Sequence, residues 1–355
     1  IVSILSTGGT ISSKVDYRIG GVYADYTAKD FVNMCPELSD IANIRARKIM
    51  SLMSEDMLPS DWIEISKIVE SEIKEGVDGI VITQGTDTLH FSAAALSFMM
   101  QEHNIPILFT AAQRSIDRGS SDAFMNLICA VKAAASFDAA EVMTCLHGTS
   151  DDDHCLLIKG TKVRKMDTSR RDAFRPINAL PYAKVYPNKD FEIIDGDYRK
   201  ADRTKKAHVK LAPFFNDKVA LHYVYPGMEP DVIDHYLKQG MKGIVIAATA
   251  LGHVNTWTDK SLIPFLEKCH KKKVPVVITS QTLYGRVNPY VYTNLRIVSQ
   301  KAHGIYVSDM HPETAYIKLG WVLGQTDDYE IAREMMLKNY KGEYTENLLP
   351  DMFLY

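Results

Sequence analysis

Two threonines, each delivered from a glycine turn at the end of an apolar run, carry most of the chemistry this sequence offers. Thr10 closes Ser6-Thr7-Gly8-Gly9-Thr10-Ile11 after Ile1-Val2-Ser3-Ile4-Leu5. Thr86 stands in Thr83-Gln84-Gly85-Thr86-Asp87-Thr88 after Gly79-Ile80-Val81-Ile82. A threonine hydroxyl is a poor nucleophile at neutral pH and attacks a carbonyl only beside a base or with a lowered pKa. Asp87 places a carboxylate next to Thr86. A glycine turn that opens a helix leaves backbone N–H groups unpaired at the positive end of the helix dipole, which suits an anion. Such a donor, aimed at a developing oxyanion, is worth roughly 10²–10³ in rate. The set lacks a base. Lys165, in Thr161-Lys162-Val163-Arg164-Lys165-Met166-Asp167-Thr168, is the best of several lysines, although the residues alone leave Lys159 and Lys162 open. A lysine acting as base must lose its proton, so Lys165 should be sequestered beside Thr86. Taken singly, each turn also reads as an ordinary tight turn with a helix cap.

The elements that must position these groups follow the same plan twice. Lys74-Glu75-Gly76-Val77-Asp78-Gly79-Ile80-Val81-Ile82 resembles Lys238-Gln239-Gly240-Met241-Lys242-Gly243-Ile244-Val245-Ile246. Downstream, Ile105-Pro106-Ile107-Leu108-Phe109-Thr110 answers Val274-Pro275-Val276-Val277-Ile278-Thr279. Each unit reads as helix, glycine stop, buried strand, loop, helix and buried strand. Near-continuous apolar strands alternating with helices indicate a parallel sheet covered on both faces. The expected fold is α/β, with a larger N-terminal domain over residues 1–185 and a smaller C-terminal one over 213–326. A Lys-, Arg- and Asp-rich linker is expected over 186–212, and a tail over 327–355 that packs on a neighbouring chain. The second copy reads Ala250-Leu251 where the first carries Thr86-Asp87, so chemistry is expected in the first half. Residues 11–26, with Tyr17, Tyr23 and Tyr26, read as a loop and lid. A short helix is expected from the Thr27-Ala28-Lys29-Asp30 cap to Met34. Ser60 and Asp61 open a helix whose stripe is Trp62, Ile65, Ile68, Val69 and Ile73.

Composition bounds the answer. The 355 residues exceed the usual single core, and 46% hydrophobic with 24% charged residues fits an ordinary globular protein. No apolar run approaches the roughly 20 residues that cross a bilayer, and the first residues read as a core strand, so a cytoplasmic location is expected. Five widely spaced cysteines without a Cys-x-x-Cys pair indicate neither a disulfide framework nor a zinc knuckle. A formal charge of −3 is too near neutral for a surface that grips nucleic acid throughout.

Together the two threonine turns are far more specific than either alone. Thr7-Gly8-Gly9-Thr10-Ile11 and Gly85-Thr86-Asp87-Thr88 resemble the two signatures of the bacterial-type asparaginase and glutaminase family, and the resemblance extends over almost the whole chain. Ala111-Ala112-Gln113-Arg114-Ser115, Ser120-Ser121-Asp122-Ala123, the stretch from Thr168 to Arg175, Ser280 to Asn288 and Met310 to Leu319 narrow it. They resemble the D-subunit branch of the archaeal glutamyl-tRNA(Gln) amidotransferases. The resemblance implies Thr10 as the acylated nucleophile, with Thr86, Asp87 and Lys165 relaying protons and activating hydroxyl or water. It also implies that Asp87, Ser54 and Glu55 bind the substrate's α-ammonium and carboxylate, with Tyr17 as a lid tyrosine. The implied reaction releases ammonia from glutamine or asparagine through an acyl-enzyme that water then cleaves. Ammonia would pass to a partner, the E subunit of the amidotransferase, where ATP and Mg are expected and Glu-tRNA(Gln) is mainly held. No cofactor or metal is expected in this chain, and a homodimer is. The rival readings are a free-standing cytoplasmic L-asparaginase and a silent scaffold. This branch usually carries a small extra domain before the first strand, where this chain begins directly on it. Gln84 stands where many relatives have histidine.

Other clusters carry less. His147 to Cys155, with Asp151-Asp152-Asp153 and His154, fits no zinc spacing and reads better as an acidic surface loop. Lys271-Lys272-Lys273 suits a helix C-terminus, with a nucleic-acid patch as the alternative. Arg170, Arg171, Arg175, Lys205 and Lys206 are candidates for a docking face. His253 and Asn255 stand on the second copy of the active turn, and reach either a neighbouring protomer's site or only local partners.

Overall fold

The computed structural model describes residues 1–9, 13–16, 21–24, 33–205 and 207–355. The chain forms two compact units, one of Ile1–Pro176, Leu180–Pro213 and Leu354–Tyr355, the other of Ile177–Ala179 and Phe214–Phe353. Both are α/β units, the first the larger.

The first unit contains β1 (Val2–Gly8), β2 (Ser13–Asp16), β3 (Gly21–Ala24), β4 (Ile44–Leu52), β5 (Gly79–Thr83), β6 (Met100–His103) and β7 (Ile107–Thr110). It continues with β8 (Val142–His147), β9 (Cys155–Lys159), β10 (Val163–Lys165), β11 (Phe174–Pro176), β12 (Ala183–Val185), β13 (Glu192–Ile193) and β14 (Val209–Leu211). Eight of these make one sheet in the order β13-β12-β9-β8-β7-β5-β1-β4. From β4 to β8 all neighbours are parallel, while β9, β12 and β13 add an antiparallel margin. The central strands β1, β5, β7 and β8 are buried throughout. Alternate residues therefore serve opposite faces. Val81 and Leu108 join the cluster under the helix Ala123–Ser136, whereas Ile80, Ile82, Ile107 and Phe109 join the one under Pro59–Lys74 and Leu89–Met99. In the helix Pro59–Lys74, Pro59 occupies the first turn and the Asp61 carboxylate accepts the Leu58 N–H at 2.7 Å.

Two expectations change. The stretch read as a loop and lid contains an antiparallel pair, β2 with β3, in the register Ser13↔Ala24 to Asp16↔Gly21. The charged stretch read as a linker carries β13, paired with β12, and β14, paired with β6. Both are short and exposed or half-buried strands. Such edges show no apolar periodicity because only one face, or neither, is covered. Of the tail, residues 327–353 belong to the second unit and Leu354–Tyr355 to the first. Lys318 Nζ meets Glu343 Oε1 at 2.6 Å, both side chains being 0% exposed, and also donates to the carbonyls of Met336 and Lys338. The helix cap expected at residues 27–30 lies outside the described residues.

The second unit has β15 (Val219–Tyr223), β16 (Gly243–Ala248), β17 (Val276–Ser280) and β18 (Ile305–Tyr306) in one parallel sheet. The internal repeat is visible in the backbone. Gly76 (φ 83°) and Gly240 (φ 77°) end the helices that precede β5 and β16, each donating its N–H three residues back at 3.0 and 3.2 Å.

Candidate active site

β1 and β5 run side by side in the register Ser6↔Thr83, so their turns leave the sheet together. The backbones of those turns touch. A Cβ on Gly9 would lie 2.2 Å from the Gly85 nitrogen, and one on Gly8 would lie 2.5 Å from the Leu52 oxygen. Gly8 (φ 114°) and Gly9 (φ 80°) also hold conformations that favour glycine. The Gly-Gly pair thus answers both a steric and a conformational demand. Thr10 and Tyr17, the expected nucleophile and lid tyrosine, lie outside the described residues.

The second turn brings three expected residues together. Lys165, at the end of β10, places its Nζ 2.9 Å from Thr86 Oγ1 and 2.8 Å from Asp87 Oδ1. β10 is held by β11 in the register Lys165↔Phe174, and Phe174 is buried in the core. Thr86 is 6% exposed. The side chain of Lys165 is 11% exposed and that of Asp87 61%, so the pair opens to solvent on the carboxylate side. An open cavity of about 530 Å³ lies there, lined among others by Asp87, Arg164, Lys165 and Asp167. The competing lysines sit elsewhere. Lys162 is 1% exposed, and Lys159 lies 5.3 Å over the Tyr182 ring.

Ser54 is buried and bridges to the turn. Its hydroxyl accepts the Asp87 N–H at 3.2 Å, and its carbonyl accepts the Thr88 hydroxyl at 2.6 Å. Gly85 permits this approach, since a Cβ there would fall 2.7 Å from Ser54 Oγ. Glu55 is exposed on the same short helical turn, Ser54–Asp56. Gln84 is buried and reaches Thr88 Oγ1 through Nε2 at 3.5 Å.

Sequence reasoning gave no role to Gln113, whose Oε1 lies 3.4 Å from Thr86 Oγ1. Its backbone is fixed by Asp122, whose carboxylate accepts the N–H groups of both Gln113 and Arg114 at 2.9–3.1 Å. The available signal was a polar residue following Ala111 and Ala112, both fully buried, at the end of β7.

The arginines singled out as candidates for a docking face also brace loops. Arg170 and Arg175 converge on Asp172, at 2.8–2.9 Å and 2.6 Å, and Arg175 also donates to the Gly148 carbonyl at 3.0 Å. The Arg170 guanidinium, with Arg175 beside it, holds the Asp172 carboxyl below its ordinary range. Arg171 meets Asp152 at 3.2 Å. His147 spends both ring nitrogens, on Asn126 at 2.6 Å and Asp152 at 2.9 Å, and His154 pairs with Asp153 at 2.9 Å. Lys271 ends the helix Ile263–Lys271, as the cationic run predicts. On the second unit's turn, Asn255 donates to Thr258 Oγ1 at 2.6 Å, and the His253 ring lies 5.3 Å from that of Tyr292. Lys206 lies outside the described residues. Among the described residues no helix is long and apolar enough to cross a membrane.

Two family profiles cover most of the chain: asparaginase, N-terminal, over residues 1–196, and glutaminase/asparaginase C-terminal domain, over residues 218–336. The chain is 49% identical to the D subunit of the glutamyl-tRNA(Gln) amidotransferase of Methanothermobacter thermautotrophicus, covering 97% of this chain and 77% of that protein. It is 48% identical to the protein of the same name from Pyrococcus furiosus, covering 99% and 78% respectively. Among solved structures it is similar to the thermostable L-asparaginase of Thermococcus kodakarensis. That match has a TM-score of 0.83 and 29% identity, and covers 98% of this chain and 99% of that one.

Proposed function

The chain belongs to the asparaginase–glutaminase family, and from that premise we propose that it is the ammonia-releasing component of a tRNA-dependent amidotransferase. Relatives matched along nearly all of this chain, at 48–49% identity, are named as the D subunit of that enzyme. The amidohydrolase half-reaction takes glutamine or asparagine, and the ammonia serves the conversion of Glu-tRNA(Gln) to Gln-tRNA(Gln). The observation that carries the chemical reading is the contact of Lys165 Nζ with Thr86 Oγ1 at 2.9 Å beside the Asp87 carboxylate. A hydroxyl bonded to an amine with a carboxylate alongside is a proton relay.

Each residue then has a task. Thr10, on the turn that follows β1, attacks the side-chain carboxamide and becomes acylated. Thr86 and Lys165 carry protons to the departing nitrogen, and later take one from the water that cleaves the acyl-enzyme. Asp87 holds the substrate's α-ammonium with its exposed oxygen while the other stays on Lys165. Ser54 fixes the turn through the Asp87 N–H, and Glu55 lies beside it for the same ammonium. Turn N–H groups stabilise the oxyanion. The partner is the E subunit, which uses ATP and Mg to activate the tRNA-borne glutamate. The protein works in the cytoplasm as a homodimer.

A free-standing L-asparaginase would use the same residues, and the solved structural neighbours bear that name. The test is an ammonia assay with glutamine and asparagine, run alone and with the E subunit and Glu-tRNA(Gln). Ammonia release that Thr10→Ala abolishes, and that partner and tRNA stimulate, is expected. Normal release by Thr10→Ala would remove Thr10 as nucleophile. Strong asparagine turnover indifferent to partner and tRNA would favour the free-standing enzyme.

A further inference from the structure

Thr86 has one hydrogen to give and several neighbours. Lys165 Nζ donates into Thr86 Oγ1 at 2.9 Å, so in this geometry the hydroxyl hydrogen points elsewhere. Two acceptors stand at 3.4 Å, Asp87 Oδ1 and Gln113 Oε1. Asp87 Oδ1 is already engaged by Lys165 at 2.8 Å. Gln113 is held from behind by the Asp122 carboxylate, which is fully buried and also accepts from Asn126 Nδ2 at 3.4 Å. The other end of its amide, Nε2, is buried and has no hydrogen-bond partner among the described residues. A half-buried glutamine whose Oε1 faces a reactive hydroxyl, on a backbone pinned by a buried carboxylate, is placed to serve as that hydroxyl's acceptor.

We propose that Gln113 is a positioning residue that keeps the Thr86 O–H turned away from Lys165, in the direction from which it can donate to the leaving nitrogen. The inference rests on the amidase reading above and adds the step at which Thr86 acts. When the tetrahedral intermediate collapses, the C–N bond breaks and its electron pair stays on nitrogen. That nitrogen takes the Thr86 proton. The Thr86 oxygen takes a proton from the Lys165 ammonium, which becomes an amine. In the second half-reaction the same amine, through Thr86, receives the proton that attacking water sheds and returns to the ammonium. Without Gln113 the hydroxyl hydrogen is free to turn to Asp87, and the donor orientation is only partly populated.

The test separates leaving groups. An amide needs its nitrogen protonated, whereas a 4-nitrophenyl ester of the same side chain expels a phenolate that needs no proton. Gln113→Met keeps the volume and removes the strong acceptor. It is expected to lower kcat for ammonia release about tenfold, a part of the 10²–10⁴ typical of a general acid, with KM within about twofold. Ester hydrolysis by the same variant should change by less than about twofold. Gln113→Glu retains an acceptor at the same place, though it exchanges the amide donor for a negative charge, so it should restore part of the amide-to-ester ratio. Gln113→Ala repeats the measurement should the thioether not be accommodated. Equal losses on amide and ester in a folded variant, or no loss on either, would overturn the inference and leave the amidase reading intact. Wild-type protein that hydrolyses neither substrate would overturn both.

Discussion

Each unit of this protein holds a lysine against a carboxylate, and the two pairs are built differently. Lys165 and Asp87 meet at 2.8 Å with the carboxylate 61% exposed, and the amine has a hydroxyl as its second partner. Lys318 and Glu343 meet at 2.6 Å with both side chains 0% exposed, and the amine's other partners are the Met336 and Lys338 carbonyls. Glu343 in turn accepts the N–H groups of Tyr340 and Lys341 at 2.7–3.1 Å, and the Lys318 ammonium lies 4.8 Å from the Tyr344 ring centre. Burial pushes the Lys318 amine down from its ordinary value while Glu343 opposes the shift. The sealed pair has every proton committed to a fixed acceptor, so it can hold a chain but cannot pass anything on. The open pair keeps a hydroxyl that can turn and a carboxylate that water or a substrate can reach. The two pairs thus differ both in burial and in the nature of the third partner.

The comparison is broken most directly by removing the amines in turn. Lys165→Met should lower ammonia release by about 10²–10⁴-fold, read in a coupled ammonia assay, with little change in unfolding midpoint. Near-normal release would show that the open pair is only structural. Lys318→Met should do the reverse, costing about 3–5 kcal/mol in denaturant unfolding because Glu343 is left buried and unpaired. Its turnover per folded molecule should stay near wild type. The double variant Lys318→Met/Glu343→Gln should recover part of that loss, since both charges are then gone. A strictly additive double variant would show that the two residues do not act as a pair.

Smaller effects sharpen the picture. Gly85→Ala places a methyl 2.7 Å from Ser54 Oγ and should displace Ser54 from the Asp87 N–H. A cost of about 1–3 kcal/mol in kcat/KM, mostly as a raised KM, is expected. An unchanged KM would remove Ser54 from substrate binding. Asp172→Asn loosens the loop that follows Lys165. The Asp172 carboxyl is lowered in the fold, so its contribution is full above the unfolded value near about 3.9 and is lost as pH falls through the folded value. The gap in Tm between wild type and Asp172→Asn should therefore narrow from pH 6 to pH 3. The smallest expected signal is from the thiols. Burial pushes Cys35 and Cys269 up to about 12, so native protein should resist alkylation at pH 8.

The sequence displayed the repeated α/β plan because β5, β7, β16 and β17 are buried on both faces and read as continuous apolar runs. It displayed Thr86 and Asp87 because a glycine turn between a strand and a helix is a local signal. Lys165 was harder. Its distance from Thr86 is 79 residues in the chain, and the β10–β11 hairpin that delivers it spans only three residues a side. Spacing alone therefore left Lys159 and Lys162 as candidates. Gln113 was invisible for the same reason, since its meaning lies in a contact 27 residues away and in a carboxylate on the next helix start. The Lys318–Glu343 pair was equally invisible, since its partners lie on different elements 25 residues apart.

The contact of Gly9 with Gly85 has a consequence for how such a site can vary. Where two main chains meet with no side chain between them, neither can be shifted to accommodate a new neighbour without moving the other. The first turn and the second therefore behave as one mechanical part, although 76 residues separate their glycines. Evolution or design is free to tune what surrounds this hub, and an insertion in either half of it would be felt at once at Thr86.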